Sequence, residues 1–569
     1  MMKRLPLLVL ICLFGLLSLS VVSAFDMDAD GIHRLANYMP DNIELFLAMD
    51  ISNKFFTDFD SVMEKVTENI PLTYPTELRN NLQDFSSRFL FHQSLSNEFD
   101  YWGGIYPWLG RYIGVGADTR GLYPDTFDME IWVVFEIVDQ KGMHEALLDG
   151  GLSESAKLVS TGDVIAYEIE DVGTLALTDS LLIISSLKGD IFDVAPLSKK
   201  PEFRTSITAL QEDTYNGLLY VSQSLIQDIL KDSSEGDIEA LNLSYDGWGA
   251  ITLGLTLSDD DTIIVDLSLQ TVTPAIAPPI STDMLGGLPA SADLLIAGTD
   301  FNILFDTTLD LMRASAESAD EADPTLFLNI ALNYGSLDFE DDFLSWATGT
   351  YVMFAGNDLL EAFQDISFSG NLTNIHDLVW GVAFEATDPD TMVTFVEHII
   401  DVADTLGDTT DEIHFKTVTL EGKPALILFV APDAEKVALE QLLLVPMDDF
   451  LYFGTVNGYE EIVAGNTLDT TPDFIKGADH ILSSSNSMTY LNAEWSVILV
   501  AAAIMAADAP DYDVLRTIQG KQFTPESVTD TSYLDLFDWM IDSVSNMTFT
   551  TRVHEDGIVL MRLTASVKD

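Results

Sequence analysis

The sequence predicts an α+β fold built from two homologous tandem domains, each a mainly antiparallel sheet packed with helices. One observation is a repeat: Pro40–Asp50 returns as Pro289–Asp300, and Trp132–Asp139 returns as Trp380–Asp388, in the same order. Another is that both halves mix short β-branched strands, hairpins and amphipathic helical stretches. A proline-rich run at 273–279, between the halves, is typical of a semi-rigid spacer.

The repeat divides the 569 residues into four segments. These are a signal peptide at 1–24, a first α+β repeat at 25–272, a Pro-rich linker at 273–287 and a second α+β repeat at 288–569. The repeating unit is too long for a solenoid, whose units have about 20–45 residues. A duplicated domain is therefore the prediction.

Each element of the first repeat has a local signal, and the order recurs in the second. Strands are predicted at residues 43–49, 112–117, 130–138, 164–169, 174–177, 181–185, 218–221, 250–257 and 262–270. Apolar residues at three- and four-residue spacing predict helices at residues 53–70, 77–91, 142–148, 201–210 and 224–230. The closing hairpin of the first repeat returns as 547–553 and 558–567 in the second.

The first 24 residues predict export. Lys3 and Arg4 precede an apolar stretch at 5–22, and small residues ending at Ala24 suit a signal-peptide cleavage site. An uncleaved anchor stays open as an alternative, because the stretch approaches the ~20 residues that span a bilayer. In both cases the bulk of the chain is expected to be extracytoplasmic: secreted, periplasmic or on the cell surface. Cys12, inside this stretch, is the single cysteine, so a cleaved chain would have neither disulfides nor thiolate sites.

The acidic balance excludes two classes of partner. With 26 basic and 92 acidic side chains, the formal net charge of −66 repels nucleic acid and anionic lipid surfaces. A hydrophobic content of 47% still predicts packed cores instead of disorder. Three explanations of the acidic surface compete: solubility, life in salt, and binding of cations or basic partners. The even spread of Asp favours the first two.

Three acidic clusters are candidates for cation binding. Asp26–Gly31 (DMDADG) has the start of a calcium loop, but Asn37 stands at the twelfth position, where a bidentate Glu is expected. Asp259–Asp261 and Glu340–Asp342 are acidic runs of the kind usually found in solvated turns. Weak cation binding stays open, and no metal ligand is assigned.

Glu136 and Glu385 are the most interesting carboxylates, because each follows an apolar strand core at matching repeat positions. A catalytic pair of acids would suit glycoside hydrolysis, whereas strand-end positions in contact with solvent are the simpler interpretation. The eight histidines show no metal spacing, and no nucleophile elbow, phosphate-binding loop or dinucleotide fingerprint is present. Trp102, beside two glycines, is the best candidate for an exposed aromatic.

The Pro40–Asp50 and Trp108–Asp118 blocks, with their second-half counterparts, resemble an uncharacterised family of exported bacterial proteins, the domain-of-unknown-function 3352 family. The resemblance covers most of the chain. No activity, substrate or catalytic residue is established for that family, so the resemblance implies none at any position here.

These observations together predict an exported, highly acidic, non-enzymatic protein that acts as a binding module or an envelope-associated structural component. Its partner would be an unidentified ligand or envelope component, with no cofactor and no catalytic residue assigned. Two alternatives stay open: an extracytoplasmic hydrolase that uses carboxylates, and a calcium-dependent adhesion module.

Overall fold

The computed structural model describes 20 stretches of the chain. They are residues 27–51, 104–119, 130–161, 163–169, 173–189, 191–210, 214–233, 248–257, 262–271, 278–299, 301, 339–356, 378–406, 413–420, 422–430, 440–465, 485–492, 495–496, 544–553 and 558–567. The predicted signal peptide and the helices predicted at 53–70 and 77–91 lie outside these residues. The chain forms two compact units: unit 1 comprises 1–236, 243–274 and 554–569, and unit 2 comprises 237–242 and 275–553.

Unit 1 is dominated by antiparallel strands. They are β1 (Met27–Asp28), β2 (Leu45–Asp50), β3 (Leu109–Asp118), β4 (Glu130–Ile137), β5 (Ala156–Ser160), β6 (Ile165–Ile169), β7 (Gly173–Leu177), β8 (Leu181–Ser185), β9 (Thr214–Tyr215), β10 (Gly217–Val221), β11 (Trp248–Leu257), β12 (Thr262–Thr271) and β22 (Ile558–Val567). Their ladder order is β5-β6-β7-β8-β4-β3-β2-β10-β11-β12-β22. The short strands β1 and β9 pair separately.

Five helices accompany these strands: α1 (Ala29–Ala36), α2 (Gln140–Asp149), α3 (Leu152–Ser155), α4 (Pro201–Ala209) and α5 (Gln223–Ser233). Strand β4 shows why the sheet needs cover on both faces. Its residues alternate, so that Trp132 and Val134 join the core beneath α1 and α4, whereas Val133 and Phe135 join the core beneath α2. A strand buried on both faces has a continuous apolar run, as β4 has from Ile131 to Phe135.

Unit 2 contains β13 (Leu294–Thr299), β14 (Thr350–Ala355), β15 (Trp380–Glu385), β16 (Ile413–Leu420), β17 (Lys423–Val430), β18 (Glu440–Pro446), β19 (Phe450–Thr455), β20 (Ser487–Asn492) and β21 (Val544–Val553). Their ladder order is β16-β17-β18-β19-β15-β14-β13-β20-β21. The described helices are α6 (Thr282–Leu285), α7 (Pro389–Leu406) and α8 (Val456–Val463), with a π-helical turn at Phe339–Leu344. From β5 to β11, the ladder of unit 1 follows the same order as the ladder of unit 2 from β16 to β21.

The predicted fold class, two α+β domains each packed with helices, is wrong. Among the described residues, strands account for 50% and helices for 27%, and 20 of the described strands form one set of antiparallel ladders. The helices predicted at 142–148, 201–210 and 224–230 are present as α2, α4 and α5, so the error lies in the share of strand. Segments such as β16, β17 and β18 were not recognised as strands.

The final described strand also differs from the segment boundaries read from sequence. Residues 558–567 were grouped with the second repeat at 288–569, whereas β22 pairs with β12 in unit 1. A local sequence pattern identifies a strand but not its distant partner.

Candidate functional site

Glu136 and Glu385, the carboxylates singled out by sequence, both bind backbone. Glu136 lies in β4 and accepts a hydrogen bond from the Arg111 N–H at 2.9 Å. Glu385 ends β15 and accepts one from the Thr350 N–H at 2.8 Å. Each carboxylate thus ties its strand to the start of the neighbouring one. Both side chains perform the same structural task in the two units.

A glycine makes room for each of these carboxylates. A β-carbon on Gly110 would lie 2.5 Å from Glu136 Cγ, and one on Gly349 would lie 2.8 Å from Glu385 Oε2. Both distances are shorter than real β-carbon contacts. In both units, a Gly at the start of one strand therefore makes room for the side chain of a Glu on the next strand.

Unit 1 adds a chain of charges around Glu136. Arg34 in α1 lies 2.8 Å from the other oxygen of Glu136. The Arg111 Nε donates to Asp50 at 2.7 Å, and the Asp50 side chain has no solvent exposure. Burying that carboxylate is costly unless a cation neutralises it, so Arg111 is required by Asp50.

The aspartates that close the repeated Trp132–Asp139 and Trp380–Asp388 blocks begin helices. Asp139 caps α2 by accepting the Gly142 N–H at 2.7 Å. Asp388 accepts the Thr391 hydroxyl at 2.8 Å at the start of α7, and this bond is the main reason that the pKa of Asp388 is lowered. Capping of free N–H groups explains why Asp stands at both positions.

The predicted calcium loop at 26–37 is replaced by a helix over most of its length. Asp30 and Gly31 lie inside α1, whose Ile32 and Leu35 are buried in the core. Asn37, at the position of the expected bidentate ligand, accepts a hydrogen bond from the Ser198 hydroxyl. The described part of this segment is therefore a helix packed on the core, not the turn of a calcium loop.

The remaining predicted residues are dispersed. Glu340–Asp342 lies in the π-helical turn, where the Asp342 carbonyl accepts from Trp346 Nε1 at 2.8 Å. Asp259–Asp261 and Trp102 lie outside the described residues. Among those that the structure describes, no group of three or more His, Cys, Asp and Glu side chains is placed to hold a metal ion.

One cavity in unit 1 lies beside the β5-β6-β7 ladder and has a volume of about 500 Å³. We call it the Ile191 groove; it is lined by Val159, Ser160, Val164, Ala166, Glu168, Thr174, Gly189, Ile191 and Phe192. Ile191 and Ala166 form a buried floor, while Val159 (49% exposed) and Phe192 (39% exposed) stand at its opening. The volume is within the ~300–1,000 Å³ typical of small-molecule sites.

Three polar side chains, Ser160, Glu168 and Thr174, interrupt the apolar lining of the Ile191 groove, and the Ser160 hydroxyl donates to the Val164 carbonyl at 3.2 Å. Thr174, in β7, is 2% exposed, and its hydroxyl makes no hydrogen bond to any described group. Glu168, on the adjacent strand β6, contributes a half-buried carboxylate. A buried hydroxyl without a partner destabilises the free protein, so its position in a cavity indicates a missing hydrogen-bonding group.

A second cavity, of about 530 Å³, is cationic. We call it the Arg204 cleft; it is lined by Lys199, Pro201, Arg204, Thr205, Thr208, Ala209 and Ile558. Arg204, Thr205 and Thr208 share one face of α4 because they are spaced one, three and four residues apart. Lys200 next to them pairs with Glu202 at 3.3 Å, whereas Lys199 and Arg204 form no ion pair with a described residue.

Sequence reasoning missed both cavities. The Ile191 groove draws its lining from three strands and the loop after β8, with no motif to mark it. The Arg204 cleft did leave a signal, since Lys199, Lys200 and Arg204 lie within six residues of a chain with only 26 basic side chains. Counting local basic density against that background would have found it.

None of the described helices has both the length and the apolar character needed to span a membrane. No protein-family model, no curated protein and no solved structure matches the chain.

Proposed function

We propose that the chain is an extracytoplasmic, non-enzymatic binding protein whose Ile191 groove takes a small, mainly apolar molecule carrying an amine. The observation that carries the proposal is the buried, unpartnered Thr174 hydroxyl in a mainly apolar cavity of about 500 Å³. The apolar lining supplies affinity through burial, and Thr174 and Glu168 orient the ligand.

The charge of the site supports an amine. Glu168 is the ionisable group of the lining, and a carboxylate attracts an ammonium group while repelling an anion. The net charge of −66 also raises the local concentration of cations around the protein. Binding is favoured over carboxylate-dependent hydrolysis because Glu136 and Glu385 are already engaged by backbone N–H groups.

Titration with decylamine, decanol and decyl sulfate, followed by calorimetry, tests the proposal. We expect the amine to bind more tightly than the alcohol and the sulfate not to bind. Thr174→Val should weaken amine binding while raising the free energy of unfolding by about 1 kcal/mol, because an unsatisfied hydroxyl is removed.

Thr252→Val is the matched control. Thr252 in β11 is also fully buried with an unpartnered hydroxyl, but it does not line the groove. This variant should gain stability without any change in binding. Equal binding of all three probes, or equal binding by wild type and Thr174→Val, would contradict the proposal.

The Arg204 cleft favours a second candidate, binding of a small oxyanion. Lys199 and Arg204 flank the cavity without ion pairs among the described residues, in a chain where carboxylates far outnumber cations. Calorimetry with inorganic phosphate should detect binding that is lost in Lys199→Glu and Arg204→Glu and kept in Lys157→Glu. Unchanged phosphate binding in the first two variants would reject this candidate.

A further inference from the structure

Strand β22 fills one edge of unit 1 although it comes from a distant part of the sequence. It pairs antiparallel with β12 over nine consecutive residues, from Thr262 opposite Ser566 to Gln270 opposite Ile558. Residues 275–553, which separate β12 from β22, belong to unit 2. Strand β22, which pairs with β12, is therefore separated from it in the sequence by all of residues 275–553.

A buried ion pair lies at the centre of this ladder. Asp266 and Arg562 face each other in register, with Arg562 Nε and Nη2 each 2.6 Å from a carboxylate oxygen. The hydroxyl of Tyr215 donates to the same carboxylate at 2.6 Å. Asp266 is 2% exposed and Arg562 is 4% exposed. Arginine is tolerated here because the opposing strand supplies a carboxylate.

The neighbouring cross-strand pairs do not select a register. Val265 faces Leu563, and Leu267 faces Met561, so apolar side chains meet apolar ones. A slip of two residues would keep every side chain on its face and retain apolar contacts. It would, however, move Arg562 away from Asp266 and break the buried ion pair. The ion pair therefore fixes the register of β22.

The same pair discriminates between strands. Asp266 is the fifth residue of β12 and Arg562 the fifth residue of β22, and each strand is the second of its hairpin in the repeat. If β12 of a second copy approached β12 in this register, Asp266 would face Asp266. Like charges directly opposite each other destabilise a ladder, whereas β22 presents the complementary charge.

We propose that the edge of β12 that pairs with β22 is a docking site for a strand with the sequence of β22, and that Asp266 selects this strand. When the chain's own β22 is displaced, β22 of a second copy occupies the site. The partner is thus a second copy of this chain, recognised by its arginine-bearing strand. This inference is independent of the proposed ligand in the Ile191 groove.

A peptide of residues 556–569 carrying a fluorophore tests the proposal on full-length protein. In Arg562→Glu, the chain's own β22 would place Glu opposite Asp266, which frees the edge. We expect this variant to bind the wild-type peptide more than about tenfold more tightly than the wild-type chain does. A peptide with Glu in place of Arg562 should not bind it.

The charge reversal gives the reciprocal test. Asp266→Arg should bind the glutamate peptide and reject the wild-type peptide. Asp266→Arg/Arg562→Glu restores a pair within the chain and should take up neither. Lys157→Glu, which makes the same charge change at an exposed position in β5, should behave as wild type.

Hydrogen exchange shows whether β22 has left the edge, with 558–567 and 262–271 losing protection in Arg562→Glu. If that variant loses its far-UV circular dichroism, Arg562→Met replaces it, since Met removes the charge without repulsion. The proposal is overturned if a chain with an unprotected β12 takes up neither peptide or takes up both equally.

Discussion

Units 1 and 2 have corresponding strands but stabilise the ends of their central strands differently. In unit 1, β2 ends at Asp50, whose buried carboxylate binds the guanidinium of Arg111 at 2.7 Å. In unit 2, β13 ends at Thr299, whose hydroxyl donates to the Pro278 carbonyl at 2.5 Å. The Thr350 hydroxyl, on the residue opposite Thr299 in the ladder, accepts the Ser281 N–H at 2.7 Å.

The difference shows that the end of a strand can be satisfied by a charged pair or by neutral hydroxyls. The two solutions differ in what happens when one partner is lost. Removing Arg111 leaves a buried carboxylate without its cation, whereas removing a threonine hydroxyl leaves an amide without one acceptor. Unit 1 is therefore the more sensitive of the two to substitution at this position.

The largest expected effect follows from Arg111→Met. Because Asp50 stays buried without its cation, the substitution should lower the free energy of unfolding by about 3 kcal/mol. The corresponding change in unit 2, Thr350→Val, should cost about 1 kcal/mol. Urea denaturation gives the totals, and hydrogen exchange assigns each loss to its unit.

Replacing both charged residues sharpens this comparison. Asp50→Thr/Arg111→Thr replaces the charged pair of unit 1 with hydroxyl groups, which unit 2 uses, and leaves no buried carboxylate without its cation. It should therefore be less destabilising than Arg111→Met alone. A double variant that is less stable than the single one would show that the charged pair is not the source of the sensitivity.

A smaller effect is expected where the units agree. Glu136→Ala and Glu385→Ala each remove a charged acceptor from a backbone N–H and should each cost about 2 kcal/mol. Arg34→Ala removes only the partly exposed partner of Glu136 and should cost less than about 1 kcal/mol. Thermal unfolding measures all three. A loss in Glu136→Ala far above that in Glu385→Ala would mean that the two carboxylates do not share one role.

The smallest effect concerns pH. Hydrogen bonds from Thr391 lower the pKa of Asp388 below its ordinary value of 3.8. A carboxyl group whose pKa is lower in the folded state stabilises the fold above its unfolded pKa, and this contribution is lost as the pH falls through the folded pKa. The first turn of α7 should therefore lose amide protection below about pH 3.8. Asp388→Asn should remove this pH dependence, and an unchanged profile would contradict the capping role.

The sequence predicted those parts of the fold that depend on local patterns. The strand expected at 130–138 is β4 at 130–137, and the helix expected at 142–148 is the core of α2. The sequence shows an Asp at the end of each repeated block, Asp139 and Asp388. Both cap helices, because each accepts a hydrogen bond from the residue three positions later. The share of strand was underestimated because a local pattern does not report pairing between distant strands.

What was missed depends on contacts between distant residues. Glu136 looked like a strand-end acid, but its partner is an amide on the preceding strand, 25 residues away. Thr174 carries no signal in sequence, because only the surrounding strands bury its hydroxyl. The partner of Arg562 lies 296 residues earlier. The resemblance to an exported bacterial family, the signal peptide and the duplication stay predictions.

The position of β22 has a consequence for the order of events during synthesis. Residues 275–553 are made after β12 and before β22, so the β12 edge stays open while all of them are produced. Open edges are sites of intermolecular pairing, and natural proteins protect them with inward-pointing charge. Until Arg562 arrives, Asp266 is such a charge. The Asp266 carboxylate that pairs with Arg562 in the folded protein therefore also disfavours intermolecular strand pairing at β12 before β22 has been synthesised.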